Sequence, residues 1–516
     1  MSTRGPNDIF RPRPDRRLRY LGIAAVFLAV AIVGSGAVVG LRQALASCPF
    51  GAYTSGVHQE GGECVGVTDG SYVFHPTLKA AEDCIRARND WVATRHQPYV
   101  TIAFLGPLSS TANTGNTSGR VPHLLEGACT AQYRVNEAGY RGDHPLIRMV
   151  LANEGVNEGA WHDVVGQLEG MTGNPDHLVA VVGLGLSQDE TVRGARQLSG
   201  DSIPMVGAVI TGNGLDTSGA GLTLDGRPVG AIPGLTRVTT PVGIQLAAIA
   251  SFLQQQSRLR TAVLVNDVNA PDLYTRSLTS TFRGSGLAPY LRAGGDVDQP
   301  FNGRLGNAGL GNVFTTISNN LCGFAPPDMV FYAGREVSLP ILLRALGGRN
   351  CRSRPITIVT GSDAEALTLD STVPASLAAA PISVLYTPLA SPTTLGAAGN
   401  PARSQYTEFA NAFTNRGFDT ADLNDAWGIM AHDAVLTAAI AIRNAVGSTN
   451  VIPSPTQVGQ QLYELNGPIN SVPGADGTFG IDPNTGSPVG RPVPIFELSS
   501  AARDPVFTYQ ATPHGG

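Results

Sequence analysis

Apolar and polar positions follow two alternating rhythms along this chain. Short apolar runs, each cut off by Gly, Pro or a polar turn, read as buried strands. Between them, apolar residues recur at three- and four-residue spacing, which reads as helix. The first clear strand is Tyr99-Val100-Thr101-Ile102-Ala103-Phe104-Leu105, stopped by Gly106-Pro107. A loop of Ser, Thr, Asn and Gly follows (Ser109 to Gly119), then a predicted helix from Leu124 to Ala138, ended by Gly139. The unit repeats as strand 147–151, helix 160–169, strand 178–182, helix 187–197 and strand 204–209. It recurs as helix 242–256, strand 262–265, helix 272–283, strand 329–332, helix 337–346 and strand 356–359. A long Ala-rich helix is expected over 424–446, a shorter one over 455–465, and a strand leading into a turn over 477–486. Upstream, residues 76–95 read as helix and the Gly-rich stretch 48–75 as a small stapled extension. Strand–helix alternation builds parallel sheets covered by helices on both faces. The expected class is therefore α/β, with ligands bound beyond the carboxyl ends of the strands.

One apolar run belongs to neither rhythm. Leu21 to Leu41 is 21 residues without a charge, roughly 31 Å as helix, enough to span a bilayer core. Arg11, Arg13, Arg16, Arg17 and Arg19 precede it and only Arg42 closely follows. The basic side stays in the cytoplasm, so residues 43–516 are expected outside, tethered by an uncleaved signal anchor. Leu45-Ala46-Ser47-Cys48 also resembles a lipobox, which would lipidate Cys48 instead; Arg42 and Gln43 between the apolar run and the cysteine are unusual for one.

All six cysteines (Cys48, Cys64, Cys84, Cys129, Cys322, Cys351) follow that run, and an even number in an exported domain points to disulfides. Proximity suggests Cys48–Cys64, Cys84–Cys129 and Cys322–Cys351, among 15 possible connectivities. No C-x-x-C and no His/Cys cluster is present, so neither zinc nor another metal or cofactor is expected.

Length and charge narrow the function classes. The 516 residues are too many for one ordinary domain. Residues 1–20 carry six Arg and two Asp, a net +4, against −5 for the whole, so residues 21–516 sum to −9. An acidic body argues against nucleic acid as partner. Lys79 is the only lysine, and nothing around it matches a phosphate-binding loop.

The most informative segment is the strand–loop–helix at 178–197. Gly183-Leu184-Gly185-Leu186-Ser187 joins a buried strand to a helix start, where free N–H groups favour an anion such as a carboxylate. Ser187 with Glu190 reads as a capping box. Gly185-Leu186-Ser187-Gln188-Asp189 misses the G-x-S-x-G nucleophile elbow at its last glycine, and no motif marks His432 or His514 as a base. Gly183-x-Gly185 likewise fails the dinucleotide fingerprint at its third glycine. Thr211 ends the next strand and could act with Ser187 on one ligand. Tyr332-Ala333-Gly334-Arg335-Glu336 is a polar cluster at another strand's carboxyl end.

The order of these motifs resembles the type I periplasmic binding proteins, specifically the leucine/isoleucine/valine and amide-binding branch that serves ABC importers. The resemblance is carried by Ile102-Ala103-Phe104-Leu105-Gly106-Pro107-Leu108-Ser109, by Leu125-Glu126-Gly127-Ala128 through Val135-Asn136-Glu137-Ala138-Gly139, and by Val181-Val182-Gly183 to Ser187. Ile203-Pro204 to Thr211, Asp328 to Gly334 and His432-Asp433-Ala434-Val435 continue it, over about residues 98–500. The resemblance implies two lobes joined by three crossovers and closing on ligand, with Ser187 and Thr211 on the ligand's carboxylate. Asp272-Leu273-Tyr274 is the nearest match to the family's second-lobe tyrosine signature, and Glu336 is the candidate acid for an ammonium. The candidate ligand set is Ser109, Ser187, Val209, Thr211, Tyr274, Glu336 and Asp363.

The implied organisation has a basic tail (1–20), an anchor (21–41), an extension (42–97), lobe 1 (98–240), lobe 2 (241–362), a lobe 1 return (363–470) and a lobe 2 return with tail (471–516). The implied function is capture of a small polar solute for an ABC permease, without catalysis. The same clamp could instead serve a membrane-anchored sensor. An α/β hydrolase is the third alternative.

Overall fold

The computed structural model describes Cys48 and residues 56–109, 119–137, 142–269, 272–284, 286–292, 298–323, 325–446, 452–467 and 469–510. The expected basic tail and membrane span, residues 1–41, lie outside the described residues.

Lobe 1 is built on a seven-stranded sheet. Its strands are β1 (Val57–Glu60), β2 (Glu63–Thr68), β3 (Tyr99–Gly106), β4 (Leu146–Asn153), β5 (Leu178–Gly183), β6 (Met205–Gly207) and, after a small hairpin of β7 (Thr223–Leu224) and β8 (Arg227–Pro228), β9 (Leu235–Arg237). The order is β1-β2-β4-β3-β5-β6-β9. From β4 to β9 all pairings are parallel. The helices α1 (Lys79–Thr94), α2 (Val121–Glu137), α3 (Trp161–Gly170) and α4 (Asp189–Gly200) cover it. β3 and β5 are buried almost throughout, because helices lie on both of their faces.

Lobe 2 repeats the plan. Its helices are α5 (Val242–Gln254), α6 (Leu273–Gly284), α7 (Asn307–Asn320) and α8 (Leu339–Gly347). Its strands are β10 (Ala262–Asp267), β11 (Asp298–Phe301), β12 (Met329–Ala333), β13 (Ile356–Val359), β14 (Ile382–Tyr386), β18 (Pro492–Leu498) and β19 (Arg503–Gln510), in the order β11-β10-β12-β13-β14-β18-β19. Each sheet separates two apolar clusters, one per face. The chain passes between lobes after β9, after β14, and before β18.

Several expected boundaries change. Residues 57–68 are not a separate extension. They pair antiparallel onto β4, with Val65 and Val67 in the core, and Asn153 Nδ2 donates to the Cys64 carbonyl at 2.8 Å. Lobe 2 does not end at residue 362, because β14 continues its parallel sheet beside β13. The lobe 2 return begins at Pro492, not 471. The short strands β15 (Val472–Gly474), β16 (Gly477–Ile481) and β17 (Pro488–Val489) stay with lobe 1, where Phe479 and Ile481 join its core.

The helix α9 (Trp427–Val446) is long and apolar enough to cross a membrane, but 89% of its apolar window is buried and it fills the core of lobe 1. It meets α2 closely: a Cβ on Gly127 would stand 2.0 Å from the Gly428 carbonyl oxygen. The disulfides are Cys48–Cys64, Cys84–Cys129 and Cys322–Cys351. The first consumes the Cys48 thiol, which lipidation would need.

Candidate functional site

The carboxyl ends of the two parallel sheets face each other. On the lobe 1 side, β5 ends in a loop whose backbone turns left-handed at Gly183 (φ +92°), Leu184 (φ +65°) and Gly185 (φ +57°). Gly185 cannot be replaced cheaply, since a Cβ there would meet Glu158 Oε1 at 2.4 Å and Glu154 Oε1 at 2.9 Å. Glu158 holds the loop: it accepts the Leu186 N–H and the Thr191 hydroxyl, each at 2.6 Å. Burial pushes its carboxyl up to about 7.

The expected capping box of Ser187 and Glu190 does not form. α4 starts two residues later, with Gln188 as its extended N-cap, and the Gln188 N–H goes to the Thr191 hydroxyl. Ser187 therefore lies before the helix and turns towards the next strand's loop. Its Oγ accepts the N–H of Thr211 at 3.0 Å and of Gly212 at 2.9 Å. Both lone pairs are then occupied, and what the hydroxyl still offers is its proton. Thr211 is 3% exposed, and its carbonyl accepts from Val242 at the first crossover.

Lobe 2 presents an ionic cluster. Arg335 donates from Nε to Asp272 Oδ2 at 2.7 Å and from Nη1 to Asp363 Oδ2 at 3.2 Å. Its Nη2 reaches across to the Ser187 carbonyl at 3.4 Å, and its guanidinium sits 4.8 Å from the centre of the Tyr274 ring. Burial opposes its charge, but Asp272 and Asp363 outweigh burial and hold it protonated well above its ordinary range. The Tyr274 N–H also donates to the Ser187 carbonyl, and its hydroxyl accepts the Asp363 N–H at 3.1 Å.

Glu336 pairs with Arg120 of lobe 1 at 2.5 Å. Burial would raise Glu336, yet Arg120 prevails and its carboxyl is lowered. Asp363, hydrogen-bonded to Glu336, is pushed up to about 7 by burial first and by that neighbouring charge second. Further polar bridges join the lobes: Arg276 to Asp189 at 2.6 Å, and the Asn213 N–H to Ser277 Oγ at 2.9 Å. Beside the Arg120–Glu336 pair lies a cavity of about 660 Å³, lined by Arg344, Val337, Ile341, Leu367 and Asp370 among others.

Of the seven candidate residues, Ser187, Thr211, Tyr274, Glu336 and Asp363 stand at this junction. Val209 lines a small apolar pocket with Phe104, Leu108 and Leu124. Ser109 is elsewhere, its hydroxyl on Glu63 and its N–H on Asn153. Sequence reasoning missed Arg120, Asp272 as an ion partner, and the role of Arg335. The available signals were an arginine at the very start of a helix and an Arg-Glu pair at a strand's carboxyl end. His432, the downstream histidine weighed as a base, is fully buried in α9 between Arg134 and Asp433.

No protein-family model matches the chain, and no curated protein is similar enough to match. Solved structures do match. An ABC transporter substrate-binding protein from Desulfitobacterium hafniense in complex with Leu is 16% identical, with a TM-score of 0.56 over 80% of this chain and 100% of that one. A leucine-binding protein from Thermotoga maritima is 18% identical, with a TM-score of 0.55 over 80% and 99%. A solute-binding protein of an ABC transporter from R. palustris, in complex with 4-hydroxybenzoate, is 13% identical, with a TM-score of 0.58 over 81% and 98%. The chain thus has the two-lobed α/β fold of these proteins.

Proposed function

We propose that this chain, which shares the two-lobed fold of the substrate-binding proteins of ABC importers, is itself an extracytoplasmic solute-binding protein. It captures a small polar ligand and hands it to a membrane permease. The observation that carries this reading is the convergence of Ser187 and Thr211 from one sheet edge with Tyr274, Arg335, Glu336 and Asp363 from the other. A clamp of this form binds by closing two rigid halves on one small molecule. The Arg-flanked 21-residue apolar run supports a permanent tether with the body outside, and three disulfides among exported residues agree with that compartment.

The ligand class follows from the free donors. The Ser187 hydroxyl can only donate, which suits an anionic oxygen. The ligands named for the structural neighbours, an amino acid and a hydroxybenzoate, both carry a carboxylate. A ligand ammonium has less to gain here, because Asp272 and Asp363 already hold the Arg335 guanidinium and Glu336 holds Arg120. We therefore favour a carboxylate on a small body over a zwitterion that depends on its ammonium.

The test is a thermal-shift and calorimetric screen of the full chain in detergent against amino acids, amides and aromatic or aliphatic carboxylates. A true ligand at 100 times its Kd should add about 2.7 kcal/mol of stability, and Thr211→Val should weaken it roughly tenfold, about 1.4 kcal/mol. A panel in which nothing raises the melting temperature, or a ligand indifferent to Thr211→Val, would remove this reading.

A further inference from the structure

A second polar constellation lies in lobe 1, one helical turn from Arg120 and apart from the ligand candidates. Close contact between Gly127 of α2 and Gly428 of α9 brings the start of α2 against the short 3-10 helix Thr420–Leu423. His123 and Glu126 on α2 there meet Asp422, nearly 300 residues later in the chain. One donor atom of each lies within 4.8 Å of the other two.

We propose that His123, Glu126 and Asp422 form a binding site for a divalent transition-metal ion. Three observations carry it. His123 Nδ1 is held by Asp425 Oδ2 at 2.7 Å, and the other oxygen of Asp425 is fixed by the Trp427 N–H at 2.9 Å. A carboxylate on one ring nitrogen orients the imidazole and leaves Nε2 for a metal. His123 Nε2 and Asp422 Oδ1 stand 3.3 Å apart, close to the roughly 3.3 Å edge of a tetrahedron with bonds near 2.0–2.1 Å. Finally, Glu126 Oε2 is buried and has no hydrogen-bond partner among the described residues, on a side chain only 9% exposed. A buried carboxylate oxygen calls for a partner, and an ion between these three groups supplies one.

The donor set names the class. One imidazole nitrogen, two carboxylate oxygens and no thiolate suit Zn²⁺ or Mn²⁺ rather than Ca²⁺ or Mg²⁺, which prefer all-oxygen shells. Asp422 has a third of its side chain exposed, so solvent can reach the group and supply a further ligand. A second His/acid cluster, His58, Glu60 and Asp163, lies exposed on the surface and has no such buried, unpartnered atom. The ion would brace the start of α2, just before which Arg120 stacks on Trp427 and pairs with Glu336 of the other lobe.

The experiment is a competition titration of the full-length chain in detergent, metal-stripped, with Zn²⁺ against a chromophoric chelator. One ion per chain is expected, with X-ray absorption showing N/O coordination that includes an imidazole. Asp422→Asn and Glu126→Gln should each weaken binding by about tenfold or more, while His58→Ala leaves it unchanged. Circular dichroism of the metal-free variants checks folding; should Glu126→Gln misfold, Asp422→Asn, at a side chain one-third exposed, decides. Absence of a stoichiometric ion overturns the proposal. So does an ion that survives Asp422→Asn, or one that is lost with His58→Ala.

Discussion

Ser187 is the residue on which the lobe 1 side of the cleft turns. Its oxygen accepts two backbone N–H groups from the Thr211-Gly212 loop, and its carbonyl receives Tyr274 and Arg335 from lobe 2. Removing the hydroxyl strands two buried N–H groups, and each unsatisfied donor costs about 1–3 kcal/mol. Ser187→Ala is therefore expected to lower the unliganded stability by about 2 kcal/mol or more, read from the urea midpoint. An unchanged midpoint would show that water or the loop itself satisfies those donors. Thr211→Val keeps the backbone groups that Ser187 holds, so it should change unliganded stability by under about 1 kcal/mol while weakening ligand. The contrast between the two variants separates the organiser of the loop from the contact.

At the scale of elements, α2 and α9 pack backbone against backbone at Gly127 and Gly428. A methyl group at Gly127 would press into the Gly428 carbonyl at 2.0 Å, and overpacking of this kind costs about 1–3 kcal/mol or more. Gly127→Ala should lower the melting temperature measurably. Gly166→Ala is the matched control, since that exposed glycine in α3 has nothing within 4 Å of the added carbon. Helix propensity alone should then make it neutral or stabilising by up to about 1 kcal/mol. If both variants behave alike, the close approach is not what Gly127 is for. The Cys84–Cys129 bridge ties α1 to α2 across 45 residues. By loop entropy it contributes about 4 kcal/mol, so the double Ser variant should melt well below the parent. No free thiol should label in the oxidised protein.

For the whole molecule, buried acids set the response to pH. Burial pushes the carboxyl of Glu82 up to about 8, and those of Glu158, Asp363, Glu365 and Asp476 up to about 7. Each keeps its proton in the folded chain and loses it near pH 4 when unfolded. Between about pH 4 and 7 the folded state binds more protons, so stability falls as pH rises through that window. His432 runs the other way, since burial keeps it neutral and its contribution is lost as pH falls below its unfolded value. Five carboxyls outweigh one imidazole. The melting temperature at pH 5 should exceed that at pH 8 by several degrees; equal or inverted melts would refute the burial-driven shifts.

The local rhythm of the chain determines a good deal unaided. Runs such as Tyr99–Leu105 and Leu178–Val182 are legible as buried parallel strands because both faces of a doubly covered strand need apolar side chains. β11, Asp-Gln-Pro-Phe, is not legible, because Phe301 is its one buried residue and no period can form. Ser187 and Thr211 could be marked as candidates because each follows a strand in a recognisable order. Their hydrogen bonds could not, because the register of α4 depends on Glu158, 28 residues upstream, taking the Leu186 N–H. Arg120 and Glu336 are 216 residues apart, and His123 and Asp422 further still. Contacts at such separations leave no periodic trace along the chain. They exist only once two sheets and their helices have packed, and that packing alone decides which charges are buried together.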